Sequence, residues 1–454
     1  MAHVNSIFWF RRDLRLSDHP ALEAAAEAGP VLPVFINDEA LRGPSGANRL
    51  AFLAGALRAL DDSIGGHLVV RSGDPTAVLT GLAAEVGARA VFATDDFGPY
   101  GRRRDTQVGE TLADQGLDVH YRDSAYAVPP DSVVTGGGTP FKVFTPFYRA
   151  WKTHGWPAPR GTVEAEWIEG IDSEGIASVD PTASDLPAAG EEAAWERVEA
   201  FLDGPVFDYD DTRNDPGVDG TSRLSPDLKW GTIHPRQLLA RLGPDPSEDV
   251  FRSELCWREF YAEVLFQRPE TARSAFAVKM AGMEVDEGAR ADELFEAWCQ
   301  GKTGFPIVDA GMRQLVAEGW MHNRVRMIVA SFLVKDLHID WTRGARFFME
   351  HLVDGDLASN QHGWQWVAGT GTDASPYFRI FNPLSQSRKF DPPGRYLRRW
   401  IPEIAHLGDK VIHQPWTDPN GAPAGYPAPI VDHAAERSES LDRYARLKET
   451  WQRP

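Results

Sequence analysis

Short apolar runs alternate with helical periodicity over roughly the first 125 residues. Residues 7–10, 31–36, 68–70, 90–93 and 119–121 read as strands. This is a βαβ rhythm, so it predicts an open parallel sheet with helices on both faces and ligands beyond the carboxyl ends of the strands. No G-x-G-x-x-G follows the first strand, and no dinucleotide is expected there. From 128 to 194 the chain turns to VPPDSVVTGGGTP, then acids, Pro and Ala, which predicts a surface connector with FKVFTPFYRAWK as an ordered island. After Trp195 helical periodicity dominates. The expected fold is an α/β N-terminal domain with a Rossmann-like parallel sheet (1–127), a connector (128–194) and a larger all-α C-terminal domain (195–454).

Composition narrows the function. A chain of 454 residues can bury two full cores. Its net charge of -19 argues against a protein that coats nucleic acid through bulk electrostatics. The stretch 376–400 nevertheless carries Arg379, Arg388, Lys389, Arg395, Arg398 and Arg399 against Asp391, a face that suits phosphates or simply a solvated surface. Two cysteines, Cys256 and Cys299, make no disulfide framework and suit a reducing compartment. No apolar run is long enough to span a bilayer, and RRDLRL leads into ALEAAAEAG rather than a signal-peptide core, so a cytoplasmic protein is expected. The histidines show no metal-ligand spacing, and no metal is expected.

Candidate chemistry concentrates in four segments. In EHLVDGDLASNQHGWQWVAG, Asp354, Asp356 and Asn360 precede Trp364 and Trp366; carboxylates, an amide and flat rings suit a polar heteroaromatic cofactor better than a plain core. In ELCWREFY, Glu254, Trp257, Arg258 and Tyr261 share one helical face, either as a binding face or with Glu254 and Arg258 as a solvated ion pair. In WMHNRVRMIVASFLVKDL, Asn323, Arg326 and Met327 also share a face. The run GTSRLS ahead of a helix offers small residues, hydroxyls and N–H groups to a pyrophosphate, although on residues alone an N-cap plus turn is the simpler reading.

These segments, with FWFRRDLRLSDHPAL, TSRLSPDLKWG and YFRIFNP, resemble the DNA photolyase and cryptochrome family in its order and near its spacing, from residue 7 to about 416. The DGD-x-x-x-N and W-x-W region resembles the class I cyclobutane pyrimidine dimer photolyases. The resemblance implies FAD, active as the reduced anion. By resemblance it is held by Tyr209, Thr221, Ser222, Arg223, Leu224, Ser225, Arg258, Asn323, Arg326, Asp354, Gly355, Asp356 and Asn360, with Arg326 paired to Asp354 and Asn360 facing flavin N5. It implies UV-damaged DNA as partner, a flipped-out dimer, and contacts from Arg213, Glu254, Trp257, Asn323, Arg324, Met327, Trp366 and Gln386. It also implies a monomer. Glu254 is the expected support for the dimer radical anion. Trp364 and Trp341 match the first two members of the family's tryptophan chain, whereas Gly288 stands where the third is expected. For the light-harvesting antenna, Gly101 replaces the acid of folate-binding relatives. Phe35, Arg49, Asp96 and Lys229 resemble the site of members that bind 8-hydroxy-5-deazaflavin. A cryptochrome-like photoreceptor is the rival, disfavoured by Asn360, which is photolyase-like where plant signalling relatives carry Asp.

Overall fold

The computed structural model describes residues 4–419, 421 and 423–451. It divides into two compact units. One comprises Met1–Pro181, Leu186–Phe207 and Ser222–Pro269; the other comprises Thr182–Asp185, Asp208–Thr221 and Glu270–Pro454.

The first unit is built on five parallel strands, β1 (Ser6–Phe10), β2 (Val31–Asn37), β3 (Val69–Ser72), β4 (Ala90–Thr94) and β5 (Asp118–Arg122), in the order β3-β2-β1-β4-β5. Every residue of β1 is buried, as expected of a central strand covered on both faces. Helices α1 (Pro20–Ala28), α2 (Ala47–Ser63), α3 (Pro75–Val86) and α4 (Pro99–Asp114) connect the strands. Three of them open on proline, whose missing N–H costs nothing in a first turn. The strand order reverses between β1 and β4, which opens a crevice at the carboxyl ends of those two strands.

The expected connector is more than a crossing strap. The island becomes α5 (Phe144–His154), and residues 166–173 hydrogen-bond onto Val31 and Val70 of the sheet. Beyond it α6 (Glu191–Leu202), α7 (Ser225–Trp230) and α8 (Pro246–Gln267) belong to the same compact unit as the sheet, although the sequence placed them with the helical domain. The reason is a set of buried and half-buried polar ties. Glu191 accepts from the Leu16 amide at 2.7 Å, Arg236 forks onto Asp18 and Asp123, and the Glu259 carboxylate accepts from the amides of Ala127 and Val128.

The second unit is helical. Its labelled helices are α9 (Ala289–Cys299), α10 (Pro306–Glu318), α11 (Asn323–Lys335), α12 (Trp341–His351), α13 (Leu357–Ala368), α14 (Pro383–Phe390) and α15 (His433–Thr450). Helix α11 packs against α10 and α13 around a core that includes Leu315, Val325, Val329, Phe332, Phe348 and Trp364. Side-chain caps set the starts: Asp340 for α12, Asp356 for α13 and Asn382 for α14. No helix among the described residues is long and apolar enough to cross a membrane.

Inside this unit His362 of α13 is buried, bonded to the Ala358 carbonyl at 2.8 Å and to the Thr271 hydroxyl at 2.9 Å. A neutral ring satisfies both, donating from Nδ1 and accepting at Nε2. Burial pushes the imidazole down to about 4. The unfolded ring takes its proton near pH 6.5, so between these values the unfolded chain binds more protons. The stability held by the neutral ring is therefore complete above about pH 6.5 and is lost as pH falls towards 4. Denaturant unfolding of wild type and His362→Gln from pH 7 to pH 4 is expected to show a steeper loss in the wild type, by roughly 3 kcal/mol. Parallel curves would contradict it.

Candidate functional site

In the first unit the stretch Ser222–Ser225 leads into α7. Arg223 has a left-handed backbone, φ 51°, Leu224 is buried, and the Ser222 hydroxyl lies 3.5 Å from the Leu224 amide. A left-handed non-glycine residue is a strained conformation, the kind that persists where a turn must present its backbone in one way. Gly231 ends α7 at φ 66°, and a Cβ there would lie 2.1 Å from the Arg12 carbonyl oxygen, so this end of the helix sits hard against the loop after β1.

Helix α8 carries Glu254, Trp257 and Arg258, all half-buried. The Arg258 guanidinium donates to the carbonyls of Ala125 and Leu228, each at 2.9 Å, and lies over the Tyr126 ring. It fastens α8 to α7 and to the segment that follows β5. Trp257 stacks on Phe144 of α5 with ring centroids 3.7 Å apart and planes 9° apart. Near its end α5 is bonded to α8 through Trp151, whose indole N–H donates to Glu259 at 2.6 Å. Burial pushes the Glu259 carboxyl up to about 7 against the opposing pull of that indole and two amides.

The crevice at the carboxyl ends of β1 and β4 is lined by Arg11, Arg12, Thr94, Asp95, Asp96 and Phe97, with Ala125 and Tyr126. Asp96 accepts from the Gly98 amide at 2.9 Å and pairs with Arg104 at 3.3 Å. Burial alone would raise its carboxyl, but Arg104 and Arg11 outweigh it and hold the group low. A Cβ on Gly101 would lie 2.2 Å from the Asp96 carboxylate. Of the other antenna candidates, Phe35 is buried at the carboxyl-terminal part of β2, Arg49 is buried with a bond to the Pro44 carbonyl, and Lys229 lies over the Trp230 ring. Only Asp96 of the four lines the crevice.

In the second unit Arg326 and Asp354 form a two-pronged pair at 2.8 and 3.3 Å, and the Arg326 Nε donates to the Met321 carbonyl at 2.7 Å. The carboxylate is 4% exposed and the guanidinium 25%. Gly355 follows in the turn and Asp356 caps α13 by accepting from the Ser359 amide. Asn360 donates from Nδ2 to the Ala345 carbonyl at 3.0 Å and to Gln361 at 2.9 Å, which leaves its carbonyl oxygen as the end available to an N–H donor. Asn323 is exposed at the first turn of α11 and Met327 is half-buried one turn on. Arg324 is clasped by the Asn214 side-chain oxygen at 2.6 and 3.1 Å and lies over Phe390. Tyr209 is buried with Arg213 over its ring, Thr221 follows Gly220, and Gln386 is half-buried on α14.

Trp364 is buried; Trp366, two residues on, is half-buried. The Trp364 indole lies against Gly344, where a Cβ would come within 2.2 Å of it, and it meets Phe348 and Trp298 edge to face at 5.0 and 6.2 Å. Trp341 starts α12 and is buried. Gly288 caps α9 at φ 85° with open space where a side chain would be.

Sequence reasoning missed Phe144, Glu259, Asn214 and Trp298. The aromatic spacing of Phe144, Tyr148 and Trp151 was visible as one helical face; nothing in the sequence signalled which helix it would meet.

The residues of the second unit fit a flavin in their chemistry: a buried carboxylate locked by a partly exposed arginine, and an amide oxygen suited to a ring N–H. Residues 251–446 match the FAD binding domain of DNA photolyase, and residues 6–163 match DNA photolyase. A Streptomyces griseus protein named deoxyribodipyrimidine photo-lyase is 42% identical, covering 96% of this chain and 99% of its own. The crystal structure of a class III photolyase from Agrobacterium tumefaciens superposes with a TM-score of 0.94 at 39% identity, over 99% of this chain and 98% of that one. A Synechocystis cryptochrome superposes with a TM-score of 0.87 at 26% identity, over 97% and 100%. The chain belongs to the DNA photolyase family, with an FAD-binding domain in its C-terminal half.

Proposed function

We propose that this enzyme splits cyclobutane pyrimidine dimers in DNA with light. The observation that carries the reading is near-full-length similarity to proteins named deoxyribodipyrimidine photo-lyase, joined to a carboxylate and an indole on one face of α8. Bound FAD, reduced and anionic, would supply on excitation one electron to the dimer and take it back once the two carbon–carbon bonds of the ring have broken, so that no net oxidation or reduction results.

The chain's own residues do the rest. Thr221, Ser222, Arg223, Leu224 and Ser225, with Tyr209, hold the pyrophosphate end. Arg326 brings positive charge to a reduced flavin anion, while Asp354 fixes the direction of the guanidinium. The Asn360 oxygen accepts the N5–H and, being a neutral amide, has no proton of acid strength to return. Glu254 hydrogen-bonds the pyrimidine edge and supports the charge that develops there. Trp257 and Trp366 wall the lesion, Asn323 and Met327 line its pocket, and Arg213, Arg324 and Gln386 bind the strand. The damaged pair must leave the stack to reach them, at a cost of a few kcal/mol that damage itself reduces. The class I motifs and the class III structural neighbour give two candidate classes, and the repair reading does not depend on which is right.

Chemically reduced protein is expected to split thymine dimers in an oligonucleotide only in light, and Glu254→Ala to lower the yield about tenfold or more. Binding is expected to weaken as salt rises. Absence of splitting with reduced FAD bound would favour the photoreceptor reading.

For the antenna we propose 8-hydroxy-5-deazaflavin, held with Phe35, Arg49, Asp96 and Lys229. The support is that Asp96 occupies the space an acid at position 101 would need. Added deazaflavin is expected to stay bound through gel filtration and to be lost in Asp96→Ala, and folate is expected not to be retained. Retention of folate alone would contradict this.

A further inference from the structure

We infer that Phe144 is a positioning residue for lesion recognition, which holds the Trp257 indole in the plane that a dimer's bases meet. The inference rests on the proposed function, because it requires Trp257 to be a wall of the lesion pocket.

Trp257 is half-buried, and parallel stacking at 3.7 Å closes one of its two faces. The Tyr261 ring also packs on the indole, tilted by 46° with centroids 5.4 Å apart, and what remains of the half-buried ring is open. An exposed indole ordinarily samples several rotamers, and ordering it on binding has a cost. Here the ordering is done in advance. The Tyr148 ring in turn lies nearly parallel to Phe144, 12° from it with centroids 5.8 Å apart, and extends the aromatic stack along α5. The Phe260 ring meets Trp257 edge to face, with centroids 5.7 Å apart and planes 78° apart, and adds a second contact that restricts the indole.

The stack is anchored at points away from the pocket. The Tyr148 hydroxyl donates to Asp249 at 2.9 Å, Lys152 pairs with the same carboxylate at 2.8 Å, and Trp151 donates to the buried Glu259. All these ties join α5 to α8. The island within the connector therefore serves as the backing of a recognition wall. A core contact would need only apolar volume, whereas a backing ring needs to be flat, and that difference is testable.

The test compares wild type, Phe144→Leu and Phe144→Tyr as FAD-loaded proteins. Leu fills the volume without a flat face; Tyr keeps the face. Dark binding is measured to a duplex with one thymine dimer and to the same duplex undamaged, with FAD content and the apparent KM and kcat of light-driven splitting. Phe144→Leu is expected to lose about three- to tenfold in affinity for dimer DNA, with the loss in KM. Its affinity for undamaged DNA and its FAD content stay at the wild-type level. Phe144→Tyr is expected to bind dimer DNA within about twofold of wild type. Unchanged dimer affinity in Phe144→Leu would overturn the inference. So would a parallel loss of both affinities and of FAD, which marks a merely structural contact. A wild type that binds both duplexes alike and splits no dimer would overturn the proposed function itself.

Discussion

The bidentate pair between Arg326 and Asp354 is the interaction on which the second unit's site depends. A carboxylate that is almost fully buried is costly unless a cation and good geometry accompany it. Asp354 has both, and the arginine is itself steered by the Met321 carbonyl at the entry to α11. The pair thus ties the start of α11 to the turn before α13. From that turn Asp356 caps α13, and the helix then carries Asn360, Trp364 and Trp366 at fixed offsets. An alanine in place of Arg326 would leave a buried carboxylate without its partner.

The first unit follows a different logic. Its sheet provides a crevice where strand order reverses, and its later helices are fastened to the sheet by arginines and glutamates that bond main-chain groups. Arg258 shows the consequence. The resemblance implied a ligand contact for it, and two of its donors hold the carbonyls of Ala125 and Leu228, so it also fixes the placement of α8 against α7. The Asp96 carboxylate in the space beside Gly101 is a similar economy, one side chain standing where another would have to stand.

The inner strands were legible because buried parallel strands are continuous apolar runs bounded by turns, and each strand, the half-exposed edge strand β5 included, was read to within two residues at either end. The helical faces of α8 and α11 were legible from spacing alone. A role for the TSRLS run was not legible from its residues, since it is also a plain capping sequence; the resemblance alone suggested one, and what the structure adds is the left-handed backbone of Arg223. What stayed hidden were contacts between residues far apart in the chain. Phe144 on Trp257, Asn214 on Arg324 and Trp298 beside Trp364 obey no periodicity, because each is decided by how helices pack. For the same reason the connector looked like a strap although α5 is bonded into the unit along its length.

The most direct test of this account is a double-mutant cycle on the central pair, with Arg326→Gln, Asp354→Asn and both together, read as the dissociation constant for FAD in refolded or apo protein. The account predicts that each single substitution weakens FAD binding by about tenfold or more and that the double variant loses clearly less than the two losses combined. Wild-type FAD affinity in both single variants, or strictly additive losses, would contradict it.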